Sequence, residues 1–121
     1  MTRINCGIPP SELNSKHLIA EHREIKRIPN CIKSGRFNLN NQPTEFKLNK
    51  GHVKFFYTRI GYLKERYIEI HQECLNRNFK VQNFIDAFEN IPEIYMGNYI
   101  PTKNDVKIVK ERINERLNAT F

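Results

Sequence analysis

Cysteine is scarce in this chain: Cys6, Cys31 and Cys74 lie far apart and form no CxxC pair. A full disulfide framework would leave one thiol over, so a reducing compartment is expected. The histidines, His17, His22, His52 and His71, lack the HExxH and C2H2 spacings that make a zinc site readable, and no metal is expected. Five glycines supply neither GxGxxG nor GxxxxGK, which excludes by pattern a dinucleotide fold and a P-loop. GxSxG, the usual hydrolase elbow, is missing too. No apolar run approaches the roughly 18 residues a membrane span needs. Arg3 and Asn5 are followed by no apolar segment long enough for a signal peptide, so a soluble, cytoplasmic protein without membrane contact is expected.

What the chain has is positive charge. Lys and Arg number 20 against 13 Asp and Glu, a formal charge of +7, and the pI is about 9.5. An acidic polymer is the partner such a surface suits. With 121 residues there is room for one domain, spanning 1–121, around one core. Any chemistry must then come from ordinary side chains or the chain terminus.

The first ten residues read as an irregular arm, because Gly7, Pro9 and Pro10 keep a helix from starting earlier. Ser11, Glu12 and Asn14 signal a helix start, and Pro29 its stop, which predicts a first helix over about 11–28. At 100° per residue Leu13, Leu18, Ala20, Ile25 and Ile28 share a sector of about 160°, the expected core face. Residues 29–50 are rich in Asn, Gln, Gly and Pro and read as a long irregular connection, with room for a helical turn. Phe56, Ile60, Leu63, Tyr67, Ile70 and Cys74 then recur at spacings of 4, 3, 4, 3 and 4. That period predicts a long helix over about 52–77, with Asn78 as its left-handed cap and Gly61 an interior flaw of about 1 kcal/mol. A shorter helix is expected over 81–89, closed by Pro92, followed by a turn through Gly97 to Pro101. Thr102 or Asn104 can cap a last helix with Val106, Val109, Ile113 and Leu117 as its apolar stripe. No strand alternation and no internal repeat appears. The expected fold is all-α, about three main helices around one core, with an irregular N-terminal arm and a long first connection.

The first helix carries the anomaly. Glu24 and His17 fall between Leu13 and Ile28 on the wheel, in the middle of the face expected to be buried. A carboxylate there must be paired, hydrogen-bonded or lining a cavity. His17 reads as a satisfied core histidine without a catalytic role. Lys16, Arg23 and Arg27 form a stripe of about 40° on the neighbouring face, where phosphates can be gripped outside a pocket holding the carboxylate. On the last helix Arg112 and Arg116 lie one turn apart at one edge of the apolar stripe, with Lys107 and Lys110 toward the other. Two helices with cations beside their buried faces suit a groove that follows a nucleic-acid backbone. Tyr57, Tyr62, Tyr95 and Tyr99 are available to stack on bases, whereas the periodic Tyr67 belongs to the core. Thr2 after Met1 is small enough for methionine removal, which would free an α-amine of pKa about 7.7 to 8.0. Arg3 beside it would lower that value by like-charge repulsion.

Several blocks resemble the phage pyrimidine-dimer DNA glycosylases of the endonuclease V type. They are Met1-Thr2-Arg3-Ile4-Asn5, Ser11-Glu12-Leu13, His17-Leu18, Ala20-Glu21 and Arg23-Glu24, then Gly51-His52-Val53 with Phe55-Phe56-Tyr57. Glu73-Cys74-Leu75, Ile91-Pro92 and Tyr99-Ile100-Pro101 follow in the same order. The resemblance covers nearly the whole chain except about 29–50, and its blocks are specific jointly rather than singly.

This resemblance implies a monomeric, single-domain helical enzyme of DNA base-excision repair, acting on double-stranded damaged DNA in a prokaryotic or phage-infected cell without metal or organic cofactor. It implies that the Thr2 α-amine attacks C1′ of the damaged nucleotide and forms a Schiff base, and that Glu24 is the essential carboxylate. It gives DNA-gripping roles to Arg3, Arg23, Arg27, Arg112 and Arg116, beside which Lys16 stands where the family carries Gln. His22 stands where the family carries Tyr. The Trp- and Tyr-rich tail the family uses near the lesion has no counterpart before Phe121, which leaves pyrimidine dimers, related lesions and abasic sites open as substrates. The alternative from another class is a non-catalytic, architectural DNA-binding protein.

Overall fold

A computed structural model describes residues 2–48 and 50–118, and among these there are helices and 3-10 turns but no β-strand. Five α-helices follow in order: α1 Ser15–Glu24, α2 Arg27–Ser34, α3 His52–Phe55, α4 Ile60–Asn76 and α5 Lys103–Asn118. The expected all-α class holds, with α1 packed on α4 at its centre.

The first helix differs from expectation at both ends. Pro10–Glu12 form a separate 3-10 turn, and α1 starts at Ser15 because the Asn14 side chain caps it, accepting the His17 N–H at 2.8 Å. Its other end lies at Glu24, well before the expected 28. Continuing α1 past that point would set the Pro29 ring against the Ile25 carbonyl and leave that carbonyl without its donor. The chain instead turns at Ile25 and Lys26, and Pro29 occupies the first turn of α2, where its missing N–H has no helical partner to lose. Gly35, with φ 73°, ends α2. The described residues in the rest of the expected long connection are irregular.

Phe56, Ile60, Leu63, Tyr67, Ile70 and Cys74 are each fully buried, as their period predicts. The long helix is nevertheless broken. In a continuous helix the Tyr62 N–H would donate to the Thr58 carbonyl; here Gly97 stands between them. Its N–H donates to Thr58 O at 3.1 Å and its carbonyl accepts from Tyr62 N–H at 3.2 Å. Residues 56–58 tighten into a 3-10 turn, and Arg59 leaves helical geometry at φ −129°, ψ 35°. Gly61 is therefore no mere flaw: a Cβ there would meet the Met96 carbonyl oxygen at 2.6 Å. At the far end Asn78, with φ 62°, takes the left-handed cap, and Phe79 N–H closes on Cys74 O at 2.9 Å.

The helix expected over 81–89 shrinks to one 3-10 turn, Ile85–Phe88. Tertiary anchors override its local preference. Phe84 N–H donates to the Tyr67 hydroxyl at 2.6 Å, and Phe88 is 1% exposed. Thr102 caps α5 in a reciprocal box with Asp105, both bonds 3.1 Å long. Its Val109 is fully buried.

The N-terminal arm is built into the core rather than laid over it. Ile4, Cys6 and Ile8 are 0%, 0% and 4% exposed. Gly7 lies at φ 74° between Val106 and Pro101, where both the backbone angle and the close approach of α5 require glycine.

Ala at position 61 sets a gain of about 1 kcal/mol in helix propensity against overpacking of about 1–3 kcal/mol on rigid backbone. The clash should dominate, so Gly61→Ala should lower the melting temperature. An unchanged or raised melting temperature would contradict the insertion of Gly97.

Candidate active site

Asn14, Lys16, His17, Ala20, Glu21 and Glu24 of the cap and α1 form one wall of an open cleft of about 710 Å3. The arm contributes Arg3 and Asn5, and α5 contributes Arg112, Ile113, Arg116 and Leu117. Spacings of three and four along α1 place His17, Ala20, Glu21 and Glu24 on one face, so a single helix supplies both carboxylates.

These two carboxylates have opposite surroundings. Glu21 is 1% exposed. It accepts from Arg66 Nε and Nη2, and Asn5 Nδ2 donates to it at 2.8 Å. Arg66 in turn donates to the Ile8 carbonyl at 3.0 Å. Burial alone would lower the Arg66 pKa, but the adjoining Glu21 carboxylate holds it above the ordinary value. Asn5 continues the chain of contacts, its Oδ1 accepting from Arg112 Nη2 at 3.1 Å. The arm, α1, α4 and α5 therefore meet at one buried ion pair.

Glu24 is left available. Its side chain keeps 14% of its surface, and Arg23 Nη2 approaches at 3.4 Å, a long contact from a largely exposed partner. Among the described residues that line the cleft four cations, Arg3, Lys16, Arg112 and Arg116, face two carboxylates, of which Glu21 is already neutralised by Arg66. The field around Glu24 is thus positive, as a polyanion requires.

Of the residues singled out by sequence, the structure brings Arg3, Lys16, Glu24, Arg112 and Arg116 to this cleft. Arg23 stands at its edge through Glu24. Arg27 is exposed beyond the break after α1, so the stripe of Lys16, Arg23 and Arg27 does not continue on one helix. Thr2 is half-buried next to Arg3 but is not among the lining residues, and Met1 lies outside the described residues. No tyrosine lines the cleft. Tyr62 and Tyr99 instead pack together, ring centroids 5.1 Å apart. His17 is not the satisfied core histidine expected: it faces the cleft and its Nδ1 is buried without a hydrogen-bond partner among the described residues. Burial, then Lys16 and Arg112, hold its pKa below the ordinary value.

Sequence reasoning missed Glu21. The available signal was Arg66, a cation beside Leu63, Tyr67 and Ile70 on the most apolar stripe of the chain, which demands a buried carboxylate partner. Among the described residues no cluster of metal-ligating side chains occurs, and no helix is long and apolar enough to cross a membrane.

A helical scaffold that opens a basic cleft around one accessible carboxylate defines a protein suited to nucleic acid. A family model described as pyrimidine dimer DNA glycosylase matches residues 1–86, which hold the arm and α1 to α4, and the chain belongs to that family of DNA repair glycosylases. Helix α5, with Arg112 and Arg116, lies beyond the matched segment.

Glu21→Gln leaves Arg66 without its counter-charge and should destabilise by about 3–5 kcal/mol in denaturant melts, whereas Glu24→Gln should change stability by under about 1 kcal/mol. Equal effects would contradict the division between them. His22 and His52 are each held neutral with a pKa lowered to about 4, mainly by burial. Unfolded, each takes a proton near pH 6.5, so between about pH 6.5 and 4 the unfolded chain binds more protons and stability falls as pH drops. Melting temperatures should be level above pH 7 and decline through that window; a flat profile would contradict neutral burial.

Proposed function

We propose that the chain excises damaged bases and cleaves the strand through a Schiff base on the α-amine of Thr2, freed by removal of Met1. The neutral amine attacks C1′ of the damaged nucleotide. The glycosidic C1′–N bond breaks with its electron pair going to the base, which takes up a proton. Opening of the sugar ring leaves an iminium at C1′, whose positive charge makes the 2′ proton acidic. Loss of that proton drives β-elimination, the 3′ C–O bond breaks with its electrons on the phosphate, and water releases the enzyme from the sugar.

Glu24 has the chemistry for two parts of this sequence. Its carboxylate stabilises the sugar cation as the base departs and then assists proton transfer at C2′. Arg3, Lys16, Arg112 and Arg116 hold the phosphates on either side, with Arg23 and Arg27 gripping the strand further out. Reaching C1′ requires bending the duplex and displacing a base. Every group is supplied by the chain, so neither metal nor organic cofactor is needed, and a monomer suffices. Pyrimidine dimers, related lesions and abasic sites are the substrates, in the cytoplasm of a prokaryotic or phage-infected cell.

The observation that carries this reading is Glu24: a carboxylate with one weak partner among the described residues, in a cleft that Arg3, Lys16, Arg112 and Arg116 line, on a chain of the glycosylase family. Arg3 lines the same cleft one residue from Thr2. Borohydride reduction during turnover of dimer-bearing or abasic duplex should trap a covalent protein–DNA adduct, and acetylation of the α-amine should abolish it. Glu24→Gln should bind damaged duplex within about threefold of wild type yet lose about 10²-fold or more in cleavage rate. Binding without scission in the wild type would instead mark an architectural protein.

A further inference from the structure

Two residues along the chain from Thr2, the backbone N–H of Ile4 donates to Nε2 of His52 at 2.9 Å in the buried interior. The other ring nitrogen, Nδ1, stands 2.7 Å from the Lys47 carbonyl. A carbonyl only accepts, so Nδ1 carries the proton and Nε2 is left as the acceptor. Phe46 and Phe56 close edge-on about the ring, with centroids 5.5 and 5.4 Å away. His52 is 3% exposed and is not among the residues lining the cleft. A slot walled by phenylalanines asks for an apolar ring. The histidine there does what phenylalanine would not, because it accepts a hydrogen bond from the arm.

Other anchors of the arm lie further along it. Asn5 binds Glu21 and Arg112, and the Ile8 carbonyl takes Arg66. Of these bonds, the one from the Ile4 N–H lies nearest Thr2 along the chain.

We propose that His52 is a positioning residue of the glycosylase reaction, its Nε2 holding the Ile4 N–H and thereby aiming the α-amine of Thr2 at the cleft. This rests on the reading of Thr2 as the source of the nucleophile. The groups acting on the ring agree with a neutral acceptor. Burial opposes its protonation most strongly, the Lys47 carbonyl favours it, Arg112 of α5 opposes it and Glu21 of α1 favours it, and the balance leaves the pKa at about 4. Protonation would set two donors face to face and release Ile4.

The test compares the full chain, Met1 removed, as wild type, His52→Phe and His52→Gln. Phenylalanine fills the slot and accepts nothing, whereas glutamine returns an oxygen acceptor. Single-turnover cleavage of an abasic duplex and affinity for a duplex with a reduced, uncleavable abasic site are measured below each variant's melting temperature. A misplacement of about 1 Å at a reacting group lowers rates by about 10²-fold. His52→Phe should lose about that much in rate while keeping its affinity within about threefold, and His52→Gln should recover most of the rate. A folded His52→Phe that cleaves at the wild-type rate overturns the proposal. So does loss of rate and affinity in parallel, or a His52→Gln no faster than His52→Phe. Should neither variant fold, amide hydrogen exchange of the wild type decides, since exchange of Ile4 N–H at the unfolded-chain rate overturns the proposal and strong protection supports it. Absence of a borohydride-trapped adduct in the wild type would defeat the reading of Thr2 itself. A trapped wild-type adduct with an unaffected His52→Phe removes only the role of His52.

Discussion

The buried pair of Glu21 and Arg66 is the constraint on which this molecule depends. Taking both charges out of water costs several kcal/mol per ion, and their attraction offsets this only when the remaining lone pairs and protons find partners. Those partners dictate the assembly. Glu21 needs the Asn5 amide as well as the guanidinium, and Arg66 needs the Ile8 carbonyl, so the arm is tied to both α1 and α4. Asn5 then offers its oxygen to Arg112, which draws α5 onto the same point. An ion pair of this kind adds little net stability over an apolar substitute. It does select one arrangement of arm and helices, since every other arrangement strands a charge.

That arrangement explains how two glutamates one turn apart come to differ. Glu21 is saturated with donors and acts as a structural centre, while Glu24 opens toward the cleft with one long contact to Arg23. Because Arg66 neutralises Glu21, the cations of the arm, α1 and α5 are not spent on it and leave a positive field around the remaining carboxylate. The proposed reaction asks for both in one place: a surface that holds phosphate and a carboxylate beside a developing sugar cation.

Much of this was legible where burial leaves a helical period. The six positions from Phe56 to Cys74 were readable because one face of a helix meets the core along its whole length. The break beneath them was not, because Gly97 inserts from a distant segment and local sequence carries no trace of it. Pro29 was visible as a helix breaker, but its steric conflict reaches back four residues, so the boundary falls earlier and Arg27 leaves the basic stripe. Residues 81–89 look helical locally and are held otherwise by the Tyr67 hydroxyl on Phe84. Glu24 stood out on the wheel as a charge among apolar neighbours. Glu21 did not, because its meaning depends on Arg66 in another helix.

In the proposed reaction the arm, pinned by Glu21 and Arg66, delivers the terminal amine to the cleft around Glu24. Peptide mapping of the borohydride-trapped adduct by mass spectrometry tests it most directly, because Lys16 of the same cleft offers a competing amine. The sugar remnant is predicted on the α-nitrogen of Thr2 in the N-terminal peptide. Its attachment to Lys16, or to any other lysine, would rule out the terminal amine as the nucleophile.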